Sequence, residues 1–186
     1  MRVFVRFYRV TKTKKRGFLT SNQFEGRTMR TIETTIYAFD ELPGGAKEKA
    51  IEKMREITKY PWFTECKDSL RAFCDEFNVK VTDYCLSNDY RAFVSTDATT
   101  RHFRGVKLSS FDREAMPTGF CFDCDLRYTF FNEFKRTGDA NHAFETAIEA
   151  FVSTVSKDID YYFSDEAIVE SIRANDYEFT EEGALT

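Results

Sequence analysis

Apolar and polar residues alternate along 2–10 ("RVFVRFYRV") and again along 31–39 ("TIETTIYAF"), the second stretch rich in β-branched side chains, and both predict strands. Between them, "TKTKKRGFLTSNQFEGRT" reads as a basic loop. The period changes after "DELPGG". Ala46, Ala50, Met54 and Ile57 recur at helical spacing with Lys and Glu on the other faces, and Pro61 stops that helix. A second helix over 63–77 places Phe63, Cys66, Leu70, Phe73, Cys74 and Phe77 along one stripe, which makes Cys66 and Cys74 core residues. "VKVTDYCLS" and "RAFVST", joined by "NDY", predict a hairpin that carries Cys85 in its first strand. Residues 97–118 have little periodicity and read as a long surface loop.

In 120–131, Phe120, Phe122, Cys124, Leu126, Tyr128 and Phe130 fall at every second position, which predicts a strand with that side in the core. Cys121, Asp123, Asp125, Arg127 and Thr129 then form a solvent-facing polar row in which Asp125 pairs with Arg127. "NEFKRTGDAN" reads as a turn, followed by a long helix over 141–163 with Phe144, Ala147, Ile148, Phe151, Val152, Val155, Ile159 and Tyr162 on its apolar face. "SDEAIVESIRAN" predicts a short helix with Ser164 as N-cap and Asn175 as its stop, and "YEFT" an edge strand. The expected fold class is α+β, an antiparallel sheet of about four to six strands with two or three helices packed on one face. The expected organisation is a basic N-terminal extension at 1–28 and a single α+β domain at 29–186.

The 20 phenylalanines supply an aromatic core for a packed globule. No apolar run approaches the roughly 20 residues that cross a bilayer, and arginines interrupt the apolar N-terminus, so neither a membrane span nor a secretory signal is expected. Five cysteines without an export signal imply reduced thiols in a cytoplasm. The net charge of −4 conceals an asymmetry. Residues 1–30 hold nine Lys or Arg against Glu25 alone, whereas from Asp160 onward eight acids face a single base, Arg173. Such a split fits a basic arm on nucleic acid, or an arm lying on the protein's own acidic body.

The sharpest chemical motif is Cys121-x-x-Cys124 beside Asp123 and Asp125. A zinc site needs both sulfurs to converge on one ion, and a strand sends them to opposite faces. A redox pair needs its cysteines at a helix N-terminus, which a strand does not offer. Asp123 and Asp125 would share a face about 7 Å apart, so an enzyme reading centres on that dyad with a divalent ion. "PGGAK" lacks the glycine loop and the Lys-Ser/Thr of a phosphate-binding P-loop. No local motif joins Cys66 or Cys74 to His102 or His142 as a nucleophile pair. The expectation is therefore a protein without catalytic residues, metal or cofactor.

"IYAFDELPGGAKEKAIEKMREI" (36–57) resembles the opening of small bacteriophage and prophage proteins in which a strand leads through F-x-E-L to A-K-x-K-A-I. "SDEAIVESIRANDYEFTEEG" (164–183) resembles the C-terminal helix and strand of the same proteins. Some of these are anti-defence or antitoxin-like, and the resemblance carries over no catalytic residue. It implies a phage-encoded, non-enzymatic, anti-CRISPR-like inhibitor in the cytoplasm of an infected or lysogenic bacterium. Its partner would be a host defence protein or ribonucleoprotein complex. The candidate contact face is acidic, Asp165, Glu166, Glu170, Asp176 and Glu178, together with the 97–118 loop. The alternative is a nucleic-acid-binding accessory or antitoxin-like protein that places Arg6, Arg9, Lys14, Lys15 and Arg16 on phosphates.

Overall fold

The computed structural model describes residues 35–87 and 92–186. The strand expected at 2–10, the basic loop after it, the 1–28 extension and the "NDY" turn lie outside the described residues. In chain order the elements are β1 (Tyr37–Ala38), α1 (Gly44–Ile57), α2 (Phe63–Asp75), β2 (Val81–Cys85), β3 (Phe93–Thr96), α3 (Cys121–Thr137), α4 (Ala140–Tyr162), α5 (Asp165–Ala174) and β4 (Glu178–Phe179). Short 3-10 turns occupy Phe39–Glu41 and Leu108–Ser110.

The chain divides into two compact units. The first combines described residues 35–57 with Val169–Thr186, so it is discontinuous in sequence, and the second is Thr58–Ile168. In the first, β1 pairs antiparallel with β4 in the register Tyr37 to Phe179 and Ala38 to Glu178. Phe39 meets Phe179 edge-on, ring centroids 6.2 Å apart. Ala46, Ala50 and Met54 are buried as their spacing predicts, while Ile57 ends the helix exposed. The C-terminus folds back on β4. Thr180 N–H bonds the Ala184 carbonyl at 2.8 Å, and Phe179 bridges Leu185.

The second unit is helical around an aromatic core. Phe73, Phe77, Phe103, Phe130 and Phe144 are buried in one cluster with Leu70, Leu126, Phe151 and Val155. Phe73 stacks on Phe144 at 5.4 Å, and Phe77 lies 4.9 Å from Phe130. The hairpin forms as expected, β2 pairing antiparallel with β3 and placing Cys85 opposite Phe93. The irregular 97–118 segment is pinned rather than loose, because Phe103 is buried and Phe111 packs against the core. Asp139 caps α4 by accepting the Asn141 and His142 N–H groups at 2.9 and 3.1 Å. Ser164 caps α5 by accepting the Ala167 N–H.

The expected sheet of four to six strands is not what forms. Among the described residues there are five α-helices and two separate two-stranded sheets. The largest correction is 120–131, which opens the 17-residue helix α3. Phe122, Leu126 and Phe130 satisfy a period of two, but they also sit four apart on a helix. What decides between the two is the burial of Asp123 and Arg127 beside them, giving the stripe 122, 123, 126, 127, 130 of a helical face. Tyr128, placed in the core by the strand reading, is exposed. The turn expected over ten residues shrinks to Gly138 and Asp139 between α3 and α4. In the described part of the 31–39 stretch, the strand is only Tyr37–Ala38.

Candidate functional site

In the first unit, the 3-10 turn after β1 and the end of α5 enclose a groove of about 640 Å³. Its wall includes Asp40, Glu41, Arg173, Asp176, Tyr177 and Glu178. Arg173 grips Asp40 with two hydrogen bonds, Nη2 to Oδ1 at 2.7 Å and Nε to Oδ2 at 3.3 Å. That guanidinium holds the Asp40 carboxyl below its ordinary range. The Ala38 N–H donates to Glu41 Oε2 at 3.1 Å and lowers the Glu41 pKa in the same way. Four carboxylates thus meet one guanidinium around the groove, and the local field is negative.

Local backbone chemistry sets the acids in place. Asn175 Nδ2 donates to the Ser171 carbonyl at 2.8 Å where α5 ends. Asp176 then takes a left-handed conformation, φ 51°, which an Asp tolerates better than most residues. The Tyr177 N–H closes the turn onto the Ile172 carbonyl at 3.2 Å, so Glu178 enters β4 beside the groove. Tyr177 remains 36% exposed, and with Ile36, Phe39 and Ile172 it gives the wall an apolar share beside its charges.

The five acidic residues expected to contact a partner are all exposed, but they divide between the units. Asp165 and Glu166 belong to the helical unit, and Glu170, Asp176 and Glu178 to the other. Only Asp176 and Glu178 line the groove. The 97–118 loop is in the helical unit and presents exposed Arg101, Arg104, Lys107 and Arg113 beside exposed Asp97, Asp112 and Glu114, a mixed rather than an acidic stretch. Arg6, Arg9, Lys14, Lys15 and Arg16 lie outside the described residues. Sequence reasoning missed Asp40, Glu41, Arg173 and Tyr177. The sequence offered only the expected link between 36–57 and 164–183; residues 36–57 and 169–183 fall in one unit and 164–168 in the other.

The Asp123 and Asp125 dyad comes apart. Residues two apart on a helix point roughly 200° from one another. Asp123 is buried and its Oδ2 accepts from the Thr118 N–H and hydroxyl, each at 2.9 Å, and from the Gly119 N–H at 3.1 Å. Its role is to hold the turn that starts α3, with Thr118 passing the network on to Ser69 at 3.0 Å. Asp125 is exposed. Arg127 does not pair with it. The Arg127 guanidinium is buried, pairs with Glu76, donates from Nε to the Asp112 carbonyl at 2.8 Å and lies over Phe111 at 4.7 Å. It ties the irregular segment to α2 and α3.

No protein-family model, curated protein or solved structure matches this chain. The remaining chemistry is therefore read from side chains alone. Among the described residues no cluster of three or more His, Cys, Asp or Glu could hold a metal ion, and no helix is long and apolar enough to cross a membrane. Cys66 and Cys74 sit in the core as expected, and burial pushes their thiols up to about 11 and about 12. Nearby, buried Tyr60 donates to Asp158, and burial raises its phenol above the ordinary value. Both thiols should resist iodoacetamide at neutral pH in the native protein and label fully after unfolding, since the thiolate is the reactive species. Peptide mapping by mass spectrometry checks this, and native labelling at Cys66 or Cys74 would contradict the packing.

Cys121 and Cys124 do not occupy opposite faces. They stand three apart in the first turn of α3, with Cys121 exposed and Cys124 half-buried.

Proposed function

We propose that the protein is a phage-encoded, non-enzymatic inhibitor of a bacterial defence system that binds a defence protein or ribonucleoprotein complex. The observation that supports this reading is the acidic groove on the unit that holds residues 36–57 and 169–183. A basic partner surface is drawn to it over several ångströms and accelerated in encounter by the field. Tyr177 supplies the aromatic anchor around which charged rims gain binding energy. An inhibitor that covers a nucleic-acid-binding surface needs this pairing of acidic rim and apolar contact, and needs no catalytic group.

The test is a pull-down of the tagged full chain from nuclease-treated lysate of cells carrying defence systems, read by mass spectrometry. The variant carries Asp176→Asn with Glu178→Lys. Asn keeps the left-handed turn at 176 accessible, and both positions are exposed, so the fold is retained. Placing a like charge against a basic partner costs on the order of several kcal/mol, enough to abolish capture. The expected result is a stoichiometric partner with the wild-type chain and none with the variant. Equal recovery by both would remove the groove from the interface.

A further inference from the structure

We propose that Cys121 and Cys124 form a reversible dithiol–disulfide site at the start of α3, open to thiol–disulfide exchange with small disulfides. The strand expected at 120–131 kept the two thiols apart, whereas the helix brings them to one side of a single turn. Residues three apart on an α-helix have Cα atoms about 5 Å from one another. That lies inside the roughly 4.4–6.8 Å window of Cα separations found in disulfides. No other pair among the five cysteines has this spacing in sequence.

The two thiols differ in access as an exchange site requires. Cys121 is exposed and meets an incoming disulfide, and Cys124 waits half-buried behind it. Cys121 is the first residue of α3, and no side chain caps that end, unlike α4 with Asp139 and α5 with Ser164.

A second feature fixes the site in place. Asp123, 2% exposed, ties the Thr118 and Gly119 backbone to the helix start, and Thr118 is tied in turn to Ser69 of α2. The backbone that carries Cys121 is therefore held in place, and closing the disulfide takes side-chain rotation together with a small adjustment of the first turn, which draws the two Cβ atoms within about 4.5 Å. Trp62, 45% exposed, packs 5.8 Å from the Phe120 ring and gives the site an apolar edge next to Cys121.

The step balances with a low-molecular-weight disulfide such as glutathione disulfide as oxidant. The Cys121 thiolate attacks one of its sulfurs, the S–S bond breaks, and one thiol leaves with a mixed disulfide on Cys121. Cys124 then attacks the Cys121 sulfur and expels the second thiol. The protein dithiol loses two electrons, the small disulfide gains them, and the two cysteine protons end on the released thiols.

The test equilibrates the full chain in glutathione buffers of graded oxidised fraction, followed by acid quench, alkylation and mass mapping. Trp62, the chain's one tryptophan, packs on Phe120, the residue before Cys121, so its emission is read in parallel. The expected result is one two-electron transition to a Cys121–Cys124 disulfide with a matching change in emission. Cys124→Ser should stop at glutathione on Cys121, and Cys121→Ser should stay reduced at Cys124. Both substitutions are conservative at positions that are not fully buried, so folding is kept. The proposal is overturned if the wild type accumulates mixed disulfide to the same level as Cys124→Ser. It is equally overturned if Cys121 pairs with a different cysteine, or if the pair stays reduced in excess oxidant.

Discussion

Phe130→Ala lowers the stability of the helical unit by about 3–5 kcal/mol, the range for deleting a large buried aromatic side chain. Phe130 is fully buried, and its ring meets Phe77 at 4.9 Å, Phe111 at 4.6 Å and Phe134 at 5.7 Å. Removing it leaves a cavity that four neighbouring aromatic rings, Phe73 included, cannot fill without leaving their rotamers. Urea titration followed by far-ultraviolet circular dichroism should show a lower midpoint with an unchanged slope. The companion variant Tyr128→Ala sharpens the result. A strand would bury Tyr128 beside Phe130, whereas the helix leaves it 38% exposed with the Arg113 guanidinium over its ring, so the expected loss is about 1 kcal/mol. Similar large losses at both positions would contradict the helix.

Gly183→Ala unfolds the other unit or detaches its C-terminal turn. Gly183 has φ +86°, and a Cβ built there would lie 2.3 Å from the Ala46 carbonyl oxygen in α1. The left-handed backbone alone costs a non-glycine residue about 1–3 kcal/mol. The clash adds to that because the atom it meets is main chain in the first turns of a helix and cannot rotate away. Displacing residue 183 also breaks the Thr180 to Ala184 bond and the bridge from Phe179 to Leu185 that close the tail over β4. Hydrogen exchange should show loss of protection at Phe179, Thr180 and Gly183 while α3 and α4 keep theirs. Unchanged protection at those three amides would show that the close approach to α1 is absent.

Local signals carried most of the elements. The spacing of Ala46, Ala50 and Met54, the stripe through Cys66, Leu70 and Phe73, the Ser164 cap and the hairpin around Cys85 and Phe93 are each decided within one or two turns of chain. The 120–131 stretch failed because its apolar residues fit both periods and its aromatic content favours strands. Length was the neglected arbiter, since strands seldom exceed about 10 residues and this apolar run continues through Phe131 and Phe134. Treating Asp123 and Arg127 as surface residues concealed the helical stripe. A carboxylate that caps a turn and a guanidinium that holds a carbonyl are buried for reasons that only tertiary contacts reveal. The groove was half legible. Asp176 and Glu178 were named as acids on a contact face, but the pairing of Asp40 with Arg173 joins residues 133 positions apart, and no periodicity reports such a contact.

The inhibitor reading is tested most directly by plating. A phage is titred on strains that each carry one defence system, with and without the full chain expressed in the cell. The account predicts that the chain restores plaques on at least one strain, and that the Asp176→Asn, Glu178→Lys variant, expressed to the same level, does not. Restored plaques with both chains, or with neither on any strain, would contradict it.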